Sequence, residues 1–295
     1  MKTIAVTGGS GFVGKRLLEC DRDTFRLQTI DLRNTSIASI DITSADAIIH
    51  LAGKAHQMEP IDDKVYFDIN YELTKQLADK AKKSGVKQFV FVSTVKVYGD
   101  ELPGILDETS ACTPTDAYGR SKLKAEQYLQ SIETDSFKIA IIRPPLVYGP
   151  GVKGNMIRLL RLAAKNIPLP FGKSRNARSM VFVDNLVALI NAIILKEAAG
   201  IFIAGDRAPL PTDKLLQLIR THLGNNKGLI SVPGVCRNLI KHLKPGLYLR
   251  LFGSYVIDNS STNQKLDFTP PFSTDYGVEQ MVKWFKENAY PSAKN

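Results

Sequence analysis

Short apolar runs alternate with longer amphipathic stretches through the first two thirds of the chain. Thr3–Val6, Arg26–Ile30, Ala47–Leu51, Gln88–Ser93 and Lys138–Ile142 are brief, and several are apolar almost throughout. Runs of that length without a polar face fit strands buried from both sides. Helical patterns lie between them. One passes through Leu17, Leu18 and Cys20, a second extends from about Asp63 to Ser84 with Asn70 and Thr74 on one face, and a third opens at Tyr118. Strands alternating with helices predict a parallel sheet covered on both faces, an α/β doubly wound architecture. The segment 34–46 is too short for a full crossover helix, so one unit of that sheet is expected to be trimmed.

After Tyr148-Gly149-Pro150-Gly151 the pattern loosens. A helix from about Gly154 to Lys165, a loop over Pro168–Asn176, a strand at Ser179–Val183, a helix capped by Asp184 and running to Leu195, and a strand at Gly200–Ile203 are expected. From Pro211 onward the chain reads as helical and turn-like. At 295 residues it is long for one hydrophobic core and short for two independent domains. We therefore expect residues 1–148 with 179–204 to form the sheet domain, and 149–178 with 205–295 a smaller, mostly helical substrate lobe.

Composition narrows the partners. The formal charge of +10 is spread over scattered lysines and arginines, with no recognition helix and no aromatic–basic interleaving. A phosphorylated small molecule fits that charge better than nucleic acid does. The three cysteines, Cys20, Cys112 and Cys236, are far apart and make no metal spacing, and the four histidines form no ligand cluster. No bound metal is expected. The odd cysteine count and the absence of a signal peptide point to a reducing cytoplasm. No stretch is long enough for an integral membrane span. Leucines and aromatics in Leu243–Val256, beside Lys241, Lys244 and Arg250, fit either the core of a small lobe or a membrane-facing stripe.

The first strand runs into Thr7-Gly8-Gly9-Ser10-Gly11-Phe12-Val13-Gly14 and then a helix. Strand, glycine turn and helix in that order suit a dinucleotide: Gly8 for the tight turn, Gly11 for close approach of a pyrophosphate, Gly14 for helix–strand packing. Asp31, at the tip of the second strand, is placed to hold the adenosine ribose hydroxyls, which favours NAD, although Arg33 keeps NADP possible. The small residues after Leu51, Ala52-Gly53, let backbone pass close to a cofactor. His50 reads as a hydrogen-bonded core residue.

Tyr118 and Lys122 lie four apart and share one helix face. An ammonium beside the phenol would lower the Tyr pKa toward neutrality and let it exchange a proton with an alcohol or ketone. Thr94, at the carboxyl end of Gln88–Ser93, carries a hydroxyl to the same end of the sheet. Ligands of open parallel sheets bind at the carboxyl ends of strands, so the glycine turn, Thr94 and the Tyr118/Lys122 pair are expected over one crevice.

Here the chain resembles the extended short-chain dehydrogenase/reductase family, of NAD-dependent epimerase/dehydratase type. The resemblance rests on Thr7–Gly14, Asp31, His50–Gly53, Asn70, Ser93–Gly99, Tyr118–Lys122 and Arg143–Gly151. It covers about Met1 to Ala204 and is loose from Pro211 on, apart from Asp267-Phe268-Thr269-Pro270-Pro271. It implies a Rossmann-type fold and a Thr94–Tyr118–Lys122 triad. Gly8, Gly11, Phe12, Val13, Asp31, Leu51, Ala52, Gly53, Asn70, Ser93 and Pro145, with Tyr118 and Lys122, would contact NAD(P). Thr94, Lys96, Asn155 and Arg178 would contact a nucleotide-diphosphate sugar, and a homodimer through two helices per subunit is implied.

Departures from the family pattern narrow the chemistry. Sugar 4,6-dehydratases resemble this stretch but carry Asp-Glu after the threonine; Val95 and Lys96 stand there, which argues against elimination of water. The strand-end Asn of many members is replaced by Leu146. The runs His50–His56 and Arg143–Gly151 look most like bacterial 4-keto reductases of UDP-N-acetyl-6-deoxyhexosamines, which act in building surface polysaccharide. A UDP-sugar 4-epimerase and a catalytically silent dinucleotide-binding regulator remain the alternatives.

Overall fold

The computed structural model describes residues 1–21, 23–55, 62–100, 104–174, 176–231, 242–243, 248 and 252–289. In chain order its first elements are β1 (Thr3–Thr7), α1 (Phe12–Cys20), β2 (Arg26–Ile30) and β3 (Ala47–His50). Next, α2 (Asp63–Phe67) passes through a π turn, Asp68–Glu72, into α3 (Leu73–Lys83), and β4 (Gln88–Val92), β5 (Ile105–Leu106) and α4 (Ala117–Ser131) follow. The chain continues with β6 (Lys138–Arg143), β7 (Leu146–Tyr148), α5 (Gly154–Ala163), β8 (Leu169–Gly172), β9 (Met180–Phe182), α6 (Val183–Leu195) and β10 (Gly200–Ile203). It ends with α7 (Thr212–Leu223), β11 (Leu229–Ser231), β12 (Val256–Ile257), α8 (Ser260–Lys265) and α9 (Thr274–Asn288).

These elements fall into two compact units. The first comprises Met1–Pro145, Val183–Ala204 and Asp258–Thr269. Its six-stranded sheet has the order β10-β6-β4-β3-β1-β2, and every pairing is parallel. β1 has β2 on one side and β3 on the other, so the chain reverses its direction of travel across the sheet at β1. The link from β2 to β3 contains only a single 3₁₀ turn, Ile37–Ser39, and β2 is left at the edge; this is the trimmed unit that the short segment 34–46 requires.

Burial on both sides explains why the strands read as apolar runs. Ala5, Ile48, Phe89, Phe91, Ile139 and Ile141 pack with Leu77, Ala78 and Ala81 of α3 and Ala125 and Leu129 of α4. The alternate residues Ile4, Val6, Ile49, Val90 and Ile142 are equally buried, and α6 packs against both β4 and α1. Asp184 does not cap α6 as its sequence position suggests. It lies inside the first turn, and its carboxylate accepts from Arg16 Nε at 2.5 Å and Nη2 at 2.8 Å, which ties α1 to α6.

The second unit comprises Leu146–Phe182, Gly205–Ile257 and Pro270–Asn295. Helix α7 packs against α5 and α9 in it, and its described residues also form two small parallel pairs, β7 with β9 and β8 with β11. The expected strand near 179–183 therefore belongs here, not to the large sheet: Met180–Phe182 finds its partner in Leu146–Tyr148, and the sheet unit resumes at Val183. Within the expected loop 168–176, Leu169–Gly172 is a strand. Half of the leucine-rich stretch 243–256 lies outside the described residues. Among the described residues no helix is long and apolar enough to cross a membrane, and none form a cluster suited to a metal ion.

Candidate active site

At the carboxyl end of β1 the chain turns at Gly8, whose φ of 73° is a left-handed conformation that a Cβ would strain. A Cβ there would also stand 2.5 Å from the Ala52 nitrogen, and one on Gly14 would stand 2.2 Å from the Gly8 oxygen. The turn is thus pressed against the end of β3 and against its own helix. Gly11 differs: a Cβ on it would meet only the Gly8 oxygen, at 3.1 Å. It caps α1, and the amides of Phe12 and Val13 in the first turn are among those that a helix leaves without intrahelical partners. A cradle of this form, at a helix N-terminus and at the strand-order reversal, suits a pyrophosphate.

Other residues around the cradle fit a dinucleotide too. Asp31 follows β2, and its carboxylate accepts from the Arg33 amide at 3.1 Å, from Asn34 Nδ2 at 2.8 Å and from Arg33 Nε at 3.2 Å. These bonds, the Arg33 amide first, hold its pKa below the usual carboxylate range. Ser93 is buried at the end of β4, and among the described residues its Oγ has no hydrogen-bond partner. A buried hydroxyl without a partner is unusual and calls for a ligand atom. Pro145 is buried at the end of β6.

Asn70 reaches this region because the helix opens into a π turn at Asp68–Glu72. Its amide closes a ring with Lys54, accepting from the Lys54 nitrogen at 2.8 Å and donating to the Lys54 oxygen at 3.1 Å. It also donates to Ser121 Oγ at 3.0 Å, and Ser121 donates to the Tyr118 carbonyl at 2.8 Å. A Cβ on Gly53 would come within 2.9 Å of Asn70 Oδ1 and 3.2 Å of Lys122 Nζ, so the Ala52-Gly53 bend is closed down on both side chains.

The structure brings Thr94, Tyr118 and Lys122 together. Asp116 caps α4 by accepting from the Gly119 amide at 2.7 Å, which sets Tyr118 and Lys122 on the helix's first turns. Thr94, almost fully buried, is hydrogen-bonded through its side chain to Tyr118. Lys122 is buried; its Nζ donates to the Val92 carbonyl at 2.9 Å and lies 4.4 Å from the centre of the Phe91 ring. Burial pushes its pKa down to about 8, with Glu126 acting in the opposite direction.

One electrostatic expectation is overturned. The sequence spacing predicts a Tyr118 pKa lowered by Lys122, whereas burial pushes the phenol up to about 12, and the Thr94 hydrogen bond is the influence that lowers it. The lysine head group is turned to a strand carbonyl. Lys96 is also committed: its ammonium pairs with Asp100 and lies 3.7 Å from Asp116.

Sequence reasoning misses the buried cluster behind these groups. Arg143 donates from Nη2 to Glu126 at 2.6 Å and from Nη1 to the Tyr98 hydroxyl at 2.8 Å. The available signal is Glu126 following Lys122 by one helical turn, on the inward face of α4. In the second unit, Asn155 is exposed in the first turn of α5. Arg178 exchanges backbone hydrogen bonds with Leu210 at 3.1 and 2.9 Å, and burial lowers its guanidinium pKa.

Comparisons with known proteins agree with this geometry. The sequence model of the NAD dependent epimerase/dehydratase family matches residues 4–205. A UDP-glucose 4-epimerase of Vibrio cholerae is 33% identical over 316 aligned residues, covering 96% of this chain and 95% of that protein. Among solved structures, RMD from Pseudomonas aeruginosa complexed with NADPH superposes with a TM-score of 0.79 at 19% identity, covering 97% of this chain and all of that one. A UDP-glucuronic acid 4-epimerase from Bacillus cereus in complex with NAD gives 0.75 at 20% identity, covering 97% and 99%. A glycine cradle at the sheet's reversal point, a Thr–Tyr–Lys group at the adjoining strand ends and a family match across more than half the chain lead to one assignment: the chain belongs to the NAD-dependent epimerase/dehydratase family.

Proposed function

We propose that this chain exchanges hydride and proton at C4 of a UDP-linked sugar. The observation that carries the reading is the Thr94–Tyr118 hydrogen bond beside buried Lys122, at the strand ends next to the glycine cradle. NAD held by that cradle, Asp31, Ser93 and Asn70 supplies the hydride acceptor and donor. Tyr118 exchanges the proton of the C4 oxygen, Thr94 hydrogen-bonds both the phenol and that oxygen, and Lys122 orients the nicotinamide ribose. Val95 has no exchangeable proton, which leaves Tyr118 as the acid–base group and disfavours elimination. We assign Asn155 and Arg178 to the nucleotide diphosphate, Arg178 for the charge-assisted bonds a guanidinium makes with phosphate. Lys96, being paired with Asp100, would contact the sugar only by exchanging that partner.

Two outcomes share this chemistry. Epimerisation, in which the oxidised sugar turns over before hydride returns, is supported by the UDP-glucose 4-epimerase of Vibrio cholerae, similar over nearly its whole length. Net reduction of a 4-keto sugar, as for a UDP-N-acetyl-deoxyhexosamine in polysaccharide synthesis, is supported by Leu146 at the position where many members carry the strand-end Asn. The enzyme is proposed to act in the cytoplasm as a homodimer, which light scattering would check. Purified protein incubated with UDP-galactose, UDP-GlcNAc and a UDP-4-keto sugar separates the outcomes. Epimers formed without change in NADH support the first; NADH consumed only with the keto sugar supports the second; inertness toward all three overturns both.

A further inference from the structure

Buried His50 has no part in the chemistry above, yet its surroundings are polar on two sides. Its Nδ1 lies 2.6 Å from Thr7 Oγ1 and its Nε2 lies 2.9 Å from Thr74 Oγ1, while its ring stacks on Phe91 at 5.7 Å between centroids. The outer partners favour one direction of donation. The Ala52 amide donates to Thr7 Oγ1 at 3.3 Å, and Thr74 Oγ1 donates to the Asn70 carbonyl at 2.9 Å. Thr74, having given its proton to Asn70, must accept from Nε2–H. Nδ1 then carries the lone pair and accepts from Thr7 O–H. The result is one unbroken chain: Ala52 N–H to Thr7, Thr7 to His50, His50 to Thr74, Thr74 to Asn70. Flipping the imidazole tautomer alone sets two donors against each other at Thr7, and reversing the whole chain leaves the Thr7 hydroxyl proton without its acceptor and the Asn70 carbonyl without its Thr74 donor, so the direction given is the one that satisfies every member.

The ends of this chain lie in the cofactor cradle. Thr7 immediately precedes Gly8, Ala52 is the backbone that Gly8 abuts, and Asn70 holds Lys54 and, through Ser121, the Tyr118 carbonyl. An aliphatic residue would fill the slot beside Phe89 and Phe91 with less desolvation. We propose that His50, as the neutral Nε2–H tautomer, is a positioning residue: it sets the separation between the Gly8–Ala52 contact and the Asn70 π turn, and so the spacing of the groups that hold the dinucleotide. The inference rests on the NAD-binding reading and not on the choice of sugar.

Three measurements on the full chain test it. The ¹⁵N spectrum of histidine-labelled protein is expected to contain a neutral, Nε2-protonated imidazole that disappears in His50→Gln; finding His50 as the Nδ1–H form overturns the proposal. Thr74→Val removes the two links that the Thr74 hydroxyl makes, with little change of shape, and His50→Leu removes the two that the imidazole makes. Each is expected to weaken NADH binding about tenfold, measured by NADH fluorescence on folded protein. Combining Thr74→Val with His50→Leu is expected to add little to the larger single loss, because both break one chain. His50→Gln, which can accept and donate, is expected to recover part of the affinity. A lowered melting temperature with NADH affinity unchanged in both Thr74→Val and His50→Leu would reduce His50 to a core residue and overturn the proposal. Because NADH binding is read directly, a chain inactive on every sugar offered would still show whether His50 positions the cradle.

Discussion

Two buried cations lie against the inward face of helix α4, Lys122 of α4 itself and Arg143 of β6, which meets Glu126 one turn on, and they are handled in opposite ways. Lys122 is buried with a carbonyl and an aromatic face for company, and its pKa falls to about 8. Arg143 is equally buried, but Glu126 and Tyr98 meet its guanidinium, and its pKa is raised. The second arrangement is what a fold does with a charge it means to keep fixed. The first leaves a cation with no ion-pair partner among the described residues, beside Gly53, which is tolerable where a ligand is expected to share the site. The difference separates groups that hold the helix in place from groups that the helix holds in readiness.

The comparison breaks most visibly at the reactive end of α4. Tyr118→Phe removes the exchangeable proton while leaving the ring, so turnover should fall by about 10²–10⁴-fold with NADH binding nearly intact. Full activity in that variant would remove Tyr118 from the chemistry. At the supporting end, Glu126→Leu strands the Arg143 guanidinium in a buried site. A loss of about 3–5 kcal/mol is expected in urea denaturation, with Arg143→Met/Glu126→Leu recovering much of it. If the single variant loses less than about 1 kcal/mol, the Arg143 cluster is not the brace proposed for it.

Much of this site can be read from the amino-acid order, and the exceptions have physical causes. Strands buried on both faces are apolar without interruption, so β1, β3, β4 and β6 stand out, and the glycine turn follows directly from β1. The π turn does not stand out, because widening one hydrogen-bonded loop leaves the apolar period almost unchanged on either side; resemblance identifies Asn70, and nothing in the sequence shows what aims it. Glu126 and Arg143 are 17 residues apart and meet only when α4 lies across the end of β6. The direction of the Tyr118 shift escapes the sequence for a related reason. Spacing puts Lys122 on the correct face but says nothing of Val92, whose carbonyl captures the ammonium. The strand at Met180–Phe182 looks like any other until its partner, Leu146–Tyr148, is known.

Lys122→Met sharpens the comparison by asking the underpaired cation to leave. Catalysis should be lost, yet the protein should be more stable by about 1–3 kcal/mol at pH 7. The sign follows from linkage. Folding lowers the lysine's pKa from 10.5 to about 8, so the unfolded chain binds that proton more tightly between these values. The destabilising contribution is therefore complete below about pH 8 and fades as the pH rises toward 10.5. The advantage of Lys122→Met should shrink over the same window. An advantage independent of pH would mean that packing, not the buried charge, is responsible.

The smallest effect is expected where charge is exposed, and it tests whether burial is what gives the α4 pair its consequences. Asp31 sits at the surface with Arg33 beside it, a pair that solvent screens in the folded state. Asp31→Ala should leave the melting temperature unchanged within error. The residue should matter only through a ligand: NADH affinity should fall about tenfold, and discrimination against NADPH should weaken as Arg33 is released from the carboxylate. Fluorescence titrations with both dinucleotides give the two numbers directly. If stability falls instead and the NADH-to-NADPH ratio holds, Asp31 braces the turn after β2 and the coenzyme preference is set elsewhere in the cradle.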